Sequence, residues 1–365
     1  MTNGAVRHAY LDRVRGVAVL MMIEAHVLDS WTRAADRTHP GFGDAMILGG
    51  MGAPLFLLLA GIAVVLSAES KFRKSGNFGE SWQAVQKRGW QVFGLAFLFR
   101  LQSYILGGGY NPIGLLKVDI LNIMGPAIAM AAFAGRMVAR KEARAALFVI
   151  AAVAIAMLTP IVRTSMLLAW LPDPFEWYLR PSPGRTNFTL LPWAGFVFAG
   201  AAVGVLIEAG THAQRPVRTH ISLATAAILL GFLAYTASFL PSIYARSEFW
   251  TSSPTFFLLR VALLTLLVPL AFTWERLVDR YKLNSWSPLE EMGRASLFVY
   301  WVHVELVYGL ISKPLRRSLS FEACLAAYAI FTVFLLVLVI LKDRFIDGRR
   351  TPAVLSPGQH RHLSN

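Results

Sequence analysis

The sequence predicts an all-α protein, a polytopic transmembrane bundle of about ten spans with both termini in the cytoplasm. Of its 365 residues, 56% are hydrophobic and only 15% are charged, whereas soluble domains carry roughly 25% charged residues. Apolar runs of about 20 residues, the length needed to cross a hydrocarbon core, recur along the whole chain. Short basic clusters separate these runs, as in proteins whose orientation is set by the positive-inside rule.

The apolar runs place spans at 14–30, 45–69, 89–107, 114–135, 145–166, 189–208, 220–240, 255–275, 294–312 and 321–341. The first run could belong to a signal peptide. However, Glu24, His26 and Asp29 interrupt it and no small-residue cleavage site follows, so we interpret it as a retained span. We expect one transmembrane domain over 1–345 and a cytoplasmic tail over 346–365.

The basic residues lie in short clusters between the spans, which indicates membrane orientation rather than nucleic-acid binding. The net charge is +14, but most Lys and Arg fall on the side of the N-terminus. Lys313, Arg316 and Arg317 follow the ninth span and lie outside in this arrangement. Either they contact something anionic there, or the span count is wrong. The one cysteine, Cys324, excludes an internal disulfide and a cysteine-based metal site.

The longest outer segment, 171–188, is rich in Pro, Trp and Arg. It is either an ordinary connecting loop or a cover over an acceptor site. We find no internal repeat, so the inverted-repeat design of many transporters has no support here.

Polar residues share one face of the first span. At 100° per residue, Asp12, Arg15, His26 and Asp29 fall within about 100° of one another. A titratable imidazole in the hydrocarbon region is costly unless it faces a cavity or a partner, so His26 is a functional candidate. The alternative is a histidine that hydrogen-bonds a neighbouring helix for packing alone. Asp29, one turn on, could fix the tautomer of His26 as the carboxylate does in hydrolase triads.

A second polar face lies near the end of the chain. Ser296, Tyr300 and His303 are spaced by four and three residues, so they share one helix face. They form either a polar pocket or a structural hydrogen-bond ladder.

Charged residues in the third and fourth spans are further candidates. Arg100 lies inside a span, where an unpaired guanidinium is expensive, so we expect it to pair with a carboxylate such as Asp119 or to bind an anionic substrate group. Asp119 and Asn122, three residues apart, share a face. Arg88 could bind the phosphates of coenzyme A, or it could be ordinary positive-inside charge.

Five short motifs in order resemble the heparan-α-glucosaminide N-acetyltransferase family and its bacterial relatives. They cover most of residues 7–305. They are Arg7, Leu11-Asp12 and Arg15-Gly16; Pro54-Leu55-Phe56 with Gly61; Val118-Asp119-Ile120-Leu121-Asn122 with Gly125; Leu191-Pro192-Trp193-Ala194-Gly195-Phe196 with Gly200 and Gly204; and Ser296, Tyr300 and His303.

The chain departs from that family in its histidines. The family's lysosomal enzyme has Asn near the position of His26, and its catalytic histidine lies in a later HxxWNG motif. Here the corresponding segment is His39-Pro40-Gly41-Phe42, without Trp-Asn-Gly. The nine residues between Gly16 and His26 instead match the spacing in membrane acyltransferases of family three, whose first-span histidine is regarded as catalytic. We therefore rank His26 first and His39 second.

The resemblance implies transfer of an acetyl group from acetyl-coenzyme A to an amine or hydroxyl of a sugar or glycolipid, in the bacterial inner membrane. His26 would act as general base or carry the acyl group, with Asp29, His39 and His303 as further catalytic candidates. The expected partners are the lipid bilayer and a small-molecule or glycan acceptor, with no nucleic acid, metal or prosthetic group; a homodimer is left open. The rival function is a proton-coupled transporter or exporter that relays protons through buried His and Asp residues.

Overall fold

The computed structural model describes residues 8–106, 112–283 and 286–350, and their long elements are all α-helices, which confirms the all-α prediction. Arg7 of the first motif and residues 351–365 of the expected tail lie outside these ranges. The helices are α1 (Ala9–Trp31), α2 (Pro40–Gly49), α3 (Gly52–Ser75), α4 (Phe78–Leu106), α5 (Ile120–Met137), α6 (Lys141–Thr164), α7 (Asp173–Glu176), α8 (Leu190–His212), α9 (Pro216–Ala237), α10 (Pro254–Arg280), α11 (Pro288–Arg294), α12 (Ser296–Tyr308) and α13 (Phe321–Arg350).

Within the described ranges, seven candidate spans have the length and hydropathy to cross a membrane. They are α2 and α3 taken together, α5, α6, α8, α9, α10 and α13. The other three predicted spans lie on α1, α4 and α12. Helix α12 has only 13 residues, and α1 and α4 carry several charged residues. The chain is an integral membrane protein, while the count of ten and the orientation stay predictions.

The predicted span 45–69 lies within the candidate span Pro40–Ser75, which a short break divides into α2 and α3. The fourth span begins at residue 120 rather than 114. Asp119 caps α5 and forms a reciprocal capping box with Asn122, and such a box marks where a helix starts.

Helices α3 and α8 cross at the centre of the bundle with their backbones in contact. A Cβ on Gly61 would lie 2.0 Å from the Val197 carbonyl oxygen, and one on Gly200 would lie 1.9 Å from that of Leu58. Only glycine permits so close an approach, and small residues at crossings are typical of membrane bundles. The glycines of the second and fourth motifs are therefore packing residues.

Helix α1 runs through the middle of the bundle and contacts α2, α3, α10, α11, α12 and α13. Beyond its last turn, the segment before α13 pairs with it by backbone hydrogen bonds. Arg317 N–H donates to the Ser30 carbonyl over 3.0 Å, and Arg33 N–H donates to that of Leu319 over 2.9 Å. This pairing fixes the end of α12 against the Trp31 end of α1.

Ion pairs with buried carboxylates lie at the opposite end of the bundle, where α3 ends and α6 begins. Arg144 and Glu69, both buried, are 2.5 Å apart. Glu208 accepts from Arg73 over 3.2 Å and from Lys141 over 2.7 Å. Breaking such pairs strands a buried charge, so these residues tie α3, α6 and α8 together.

Candidate functional site

Two histidines from helices far apart in sequence meet inside the bundle. His26 Nδ1 on α1 lies 2.8 Å from His303 Nε2 on α12. The rings are nearly parallel, with centroids 5.0 Å apart and an interplanar angle of 6°. His303 is fully buried and His26 is partly buried. The structure thus joins two of the four predicted catalytic residues into one hydrogen-bonded pair.

The hydrogen bonds of His303 determine which nitrogen of His26 is free. His303 Nδ1 lies 2.8 Å from the Val299 carbonyl oxygen. A carbonyl only accepts, so this nitrogen carries the hydrogen and Nε2 of neutral His303 is an acceptor. His26 Nδ1 must then donate to it, which leaves His26 Nε2 with its lone pair. The pair presents His26 as a base at Nε2.

Asp29 does not hold His26 as the sequence suggested. The hydrogen-bond partner of His26 Nδ1 is His303, because α12 packs against this face of α1. The Asp29 carboxylate instead accepts from the Tyr308 hydroxyl over 3.2 Å and lies 3.6 Å from Arg37. The Tyr308 ring also packs edge-on against His26 at 5.5 Å between centroids, so Tyr308 links the two residues.

Arg100 pairs with Asp119, as expected from the cost of an unpaired guanidinium in a span. Arg100 Nη2 lies 2.5 Å from Asp119 Oδ2, and both side chains are mostly buried. Phe99 and Gln102, close to Arg100 on α4, contact Tyr300 and Trp301 of α12. This ion pair therefore lies near the place where α4 packs against the helix that carries His303.

The segment 171–188 is tied to the start of α5. Val118 N–H donates to the Arg185 carbonyl over 2.9 Å, and the Asn122 amide donates to the Tyr178 hydroxyl over 3.4 Å. Burial raises the pKa of Tyr178. Burial, and then the Arg100 guanidinium, lower the pKa of Lys117. Trp177 and Tyr178 of this segment thus pack onto the start of α5, while Leu171 and Phe175 stay exposed.

Tyr300 lies on the same helix as His303. It is buried, packs against Phe99 at 5.5 Å between ring centroids, and contacts His303 edge-on at 5.9 Å. Ser296 begins α12. Tyr300 and His303 thus share the predicted helix face, and Tyr300 contacts both His303 and Phe99 of α4.

The structure places four predicted site residues away from the histidine pair. Asp12 and Arg15 pair with each other over 2.7 Å, and eleven residues of helix, about 16 Å of rise, separate Arg15 from His26. Arg88 is exposed and hydrogen-bonds Gln91 on its own helix. His39 caps α2, where its Nδ1 accepts from the Gly41 N–H over 3.1 Å; its ring stacks on another aromatic side chain and is exposed.

Within the described ranges, no group of three or more His, Cys, Asp or Glu side chains is arranged to hold a metal ion. A surface cleft of about 370 Å³ opens at the Trp31 end of α1. Its lining residues are Asp29, Ser30, Tyr308, Arg316 and Arg317. No sequence motif marks Tyr308; Asp29 and the basic cluster after Tyr308 are the sequence signals that point to this region.

Fold and site together define a helical integral membrane protein with a buried histidine pair that bridges its first helix and a late one. The chain belongs to the heparan-alpha-glucosaminide N-acetyltransferase family, whose catalytic-domain model matches residues 7–238. This confirms the resemblance seen in the motifs and indicates a membrane acetyltransferase, in a family that uses acetyl-coenzyme A. No protein of curated function matches the chain. The matched range includes His26 but ends before α12.

Proposed function

We propose that this protein is an acetyltransferase that uses His26 at its catalytic centre. It would move an acetyl group from acetyl-coenzyme A to an amine or hydroxyl of a sugar or glycolipid. The observation that carries the proposal is the 2.8 Å hydrogen bond between His26 Nδ1 and His303 Nε2. It leaves the basic nitrogen of His26 available on a helix inside the family-matched range.

The chemistry follows from that free nitrogen. In a direct transfer, the acceptor N or O bonds to the thioester carbonyl carbon as His26 Nε2 takes the acceptor's proton. The C–S bond then breaks, and the proton passes from His26 to the departing sulfur. The products are an amide or ester and free coenzyme A.

A covalent route is also consistent with the pair. His26 Nε2 would attack the thioester carbon, release coenzyme A as the thiolate, and hold the acetyl group as an acyl-imidazole. The acceptor N or O would then attack that group, and its proton would neutralise the thiolate. The two routes differ in whether an acetyl-enzyme accumulates when acceptor is withheld.

His303 is a positioning residue in both routes. Its Nδ1 donates to the Val299 carbonyl, so its Nε2 accepts from His26 Nδ1 and holds His26 in one tautomer. The same hydrogen bond would stabilise His26 when its ring becomes positively charged, which is the role of the carboxylate in hydrolase triads. Arg100, Asp119 and Asn122 would stabilise the adjoining pocket, and segment 171–188 would cover the acceptor. We place this activity in the bacterial inner membrane.

The direct test is thiol release from acetyl-coenzyme A by the purified protein with amine and hydroxyl acceptors. His26→Ala should lower the rate by about 10²–10⁴-fold, the usual contribution of a general base, without loss of membrane insertion. His39→Ala is the matched control and should have a much smaller effect, because His39 caps α2 at the surface. The opposite ranking would move the catalytic centre to the loop after α1.

Substitution of His303 tests the positioning role. His303→Ala should lower kcat by at least about tenfold, the smallest loss seen for residues that orient metal-bound histidines, with little change in the KM for acetyl-coenzyme A. His303→Gln should restore part of the rate, because its amide oxygen can accept from His26 Nδ1. Equal rates for the two variants would contradict the role. Proton flux that depends on His26, without any thiol release, would replace the enzyme with a transporter.

A further inference from the structure

The cleft at the Trp31 end of α1 is strongly basic. Arg316 and Arg317 line it, while Arg37 lies 3.6 Å from Asp29, the one carboxylate in its lining. Asp29 is thus engaged by a guanidinium and by the Tyr308 hydroxyl. The lining holds two arginines and one carboxylate, and Arg37 pairs with that carboxylate from outside the lining, so positive charge is in excess at a cleft of about 370 Å³, within the size range of small-molecule sites.

Arg317 occupies a backbone position that suits glycine better. Its φ is 52°, in the left-handed region that a side chain makes unfavourable. The hydrogen bond from Arg317 N–H to the Ser30 carbonyl fixes this conformation. Strained residues of this kind persist where the surrounding structure imposes them and cluster at functional sites.

The two arginines differ in what holds their side chains. Arg316 donates to the carbonyl oxygens of Tyr308 and Gly309, so it is partly committed to the backbone. In the part of the chain that the structure describes, no carboxylate lies within ion-pair distance of Arg317. Its five N–H donors are therefore available to a ligand.

The Tyr308 ring separates the cleft from the histidine pair. The Tyr308 ring lines the cleft and contacts the His26 ring at 5.5 Å between centroids. A small molecule bound by Arg317 would therefore lie one aromatic ring away from the proposed base.

We propose that this cleft binds an oxyanion, of the phosphate type, carried by the acceptor. This inference rests on the proposed function, since it names the chemistry that the acceptor must carry. Guanidinium groups bind phosphate and carboxylate oxygens by paired, charge-assisted hydrogen bonds. The two arginines would grip the anionic group at the mouth, and the acceptor's amine or hydroxyl would point inward past Tyr308.

The test uses the full chain in neutral detergent, with the thermal midpoint measured during titration with glucosamine 6-phosphate or glucosamine at constant ionic strength. The phosphorylated sugar should give a saturable rise at a concentration at least about tenfold lower than glucosamine, as expected for charge-assisted hydrogen bonds. Arg317→Gly and Arg317→Gln should abolish this difference. Lys313→Gln removes a neighbouring charge outside the cleft lining and should retain it.

Arg317→Gly keeps the result interpretable, because glycine adopts a φ of 52° without strain. This variant should fold at least as well as the wild type, so a lost response reports the guanidinium alone. An equal response to the two sugars, or an unchanged response in both Arg317 variants, would overturn the proposal.

A lipid headgroup carries the same chemistry, so a second arm separates the sources. The protein is reconstituted in bilayers of phosphatidylcholine with or without phosphatidylglycerol. Stabilisation by phosphatidylglycerol through Arg317, with no response to glucosamine 6-phosphate, would assign the cleft to lipid and overturn the acceptor assignment. Failure of the acetyltransferase activity would appear separately, as absent thiol release with phosphate binding intact.

Discussion

The two ends of α1 carry similar polar residues but are built differently. At the N-terminal end, Asp12 and Arg15 pair with each other, and Arg13 lies 3.6 Å from Glu290 on α11. At the Trp31 end, His26 pairs with a residue almost three hundred positions away and adjoins an open cleft. One end has its charges paired with opposite charges, whereas the other places a histidine pair beside an open cleft.

The two ends of α1 also differ in how closely the backbones of neighbouring helices approach it. A Cβ on Gly293 would lie 1.8 Å from the Asp12 carbonyl oxygen, and one on Gly16 would lie 2.0 Å from that of Leu289. No room for a substrate remains where helices touch so closely. The Arg15-Gly16 motif therefore fixes α1 onto α11, and the catalytic candidate stands about three turns beyond it.

Polar residues along one face of a membrane helix therefore need not belong to a single site. Helical periodicity places Asp12, Arg15, His26 and Asp29 on one face, yet the neighbours of that face change along the helix. Its N-terminal half stabilises the bundle, and its second half faces the histidine pair and the cleft.

Among the predicted site residues, the largest stability effect should come from Arg100. Arg100→Ala strands the Asp119 carboxylate and should destabilise the protein by roughly 3–5 kcal/mol, read as a lower thermal midpoint in detergent. Arg88→Ala, on an exposed face of the same helix, should stay within about 0.5 kcal/mol. Lost activity with unchanged stability in Arg100→Ala would instead show that the guanidinium binds substrate.

A smaller loss should follow at the packed end of α1. Gly293→Ala forces a methyl group into the Asp12 backbone and should cost about 1–3 kcal/mol, with the acetyl-transfer rate per folded molecule retained. Gly43→Ala in α2 is the control, because a Cβ there meets nothing within 4 Å. If Gly293→Ala lowered the acetyl-transfer rate without changing the thermal midpoint, the N-terminal end of α1 would also take part in catalysis. That result would contradict the division of roles between the two ends.

The smallest effect should come from Asp29. Its side chain is 51% exposed and its ion pair with Arg37 spans 3.6 Å, and exposed pairs are worth about 0–1 kcal/mol. Asp29→Asn should therefore slow thiol release by no more than about fivefold. A loss as great as that of His26→Ala would mean that Asp29, and not His303, orients the base during turnover.

Much of this protein follows from its sequence alone. Apolar runs of membrane-spanning length determine the helical class, because backbone groups in a bilayer must be satisfied within each segment. The cost of an unpaired guanidinium predicted the Arg100–Asp119 pair. Ordered motifs determined the family, and the expense of an imidazole in a span singled out His26.

Tertiary structure alone decided which of these residues work together. Helical spacing relates residues three or four positions apart, so it suggested Asp29 as the partner of His26. The actual partner, His303, comes from a helix that only folding brings alongside α1. Segment 316–319 likewise reaches the cleft through its pairing with Ser30 and Arg33. Contacts of this kind depend on how helices pack, which the periodicity of a single helix does not encode.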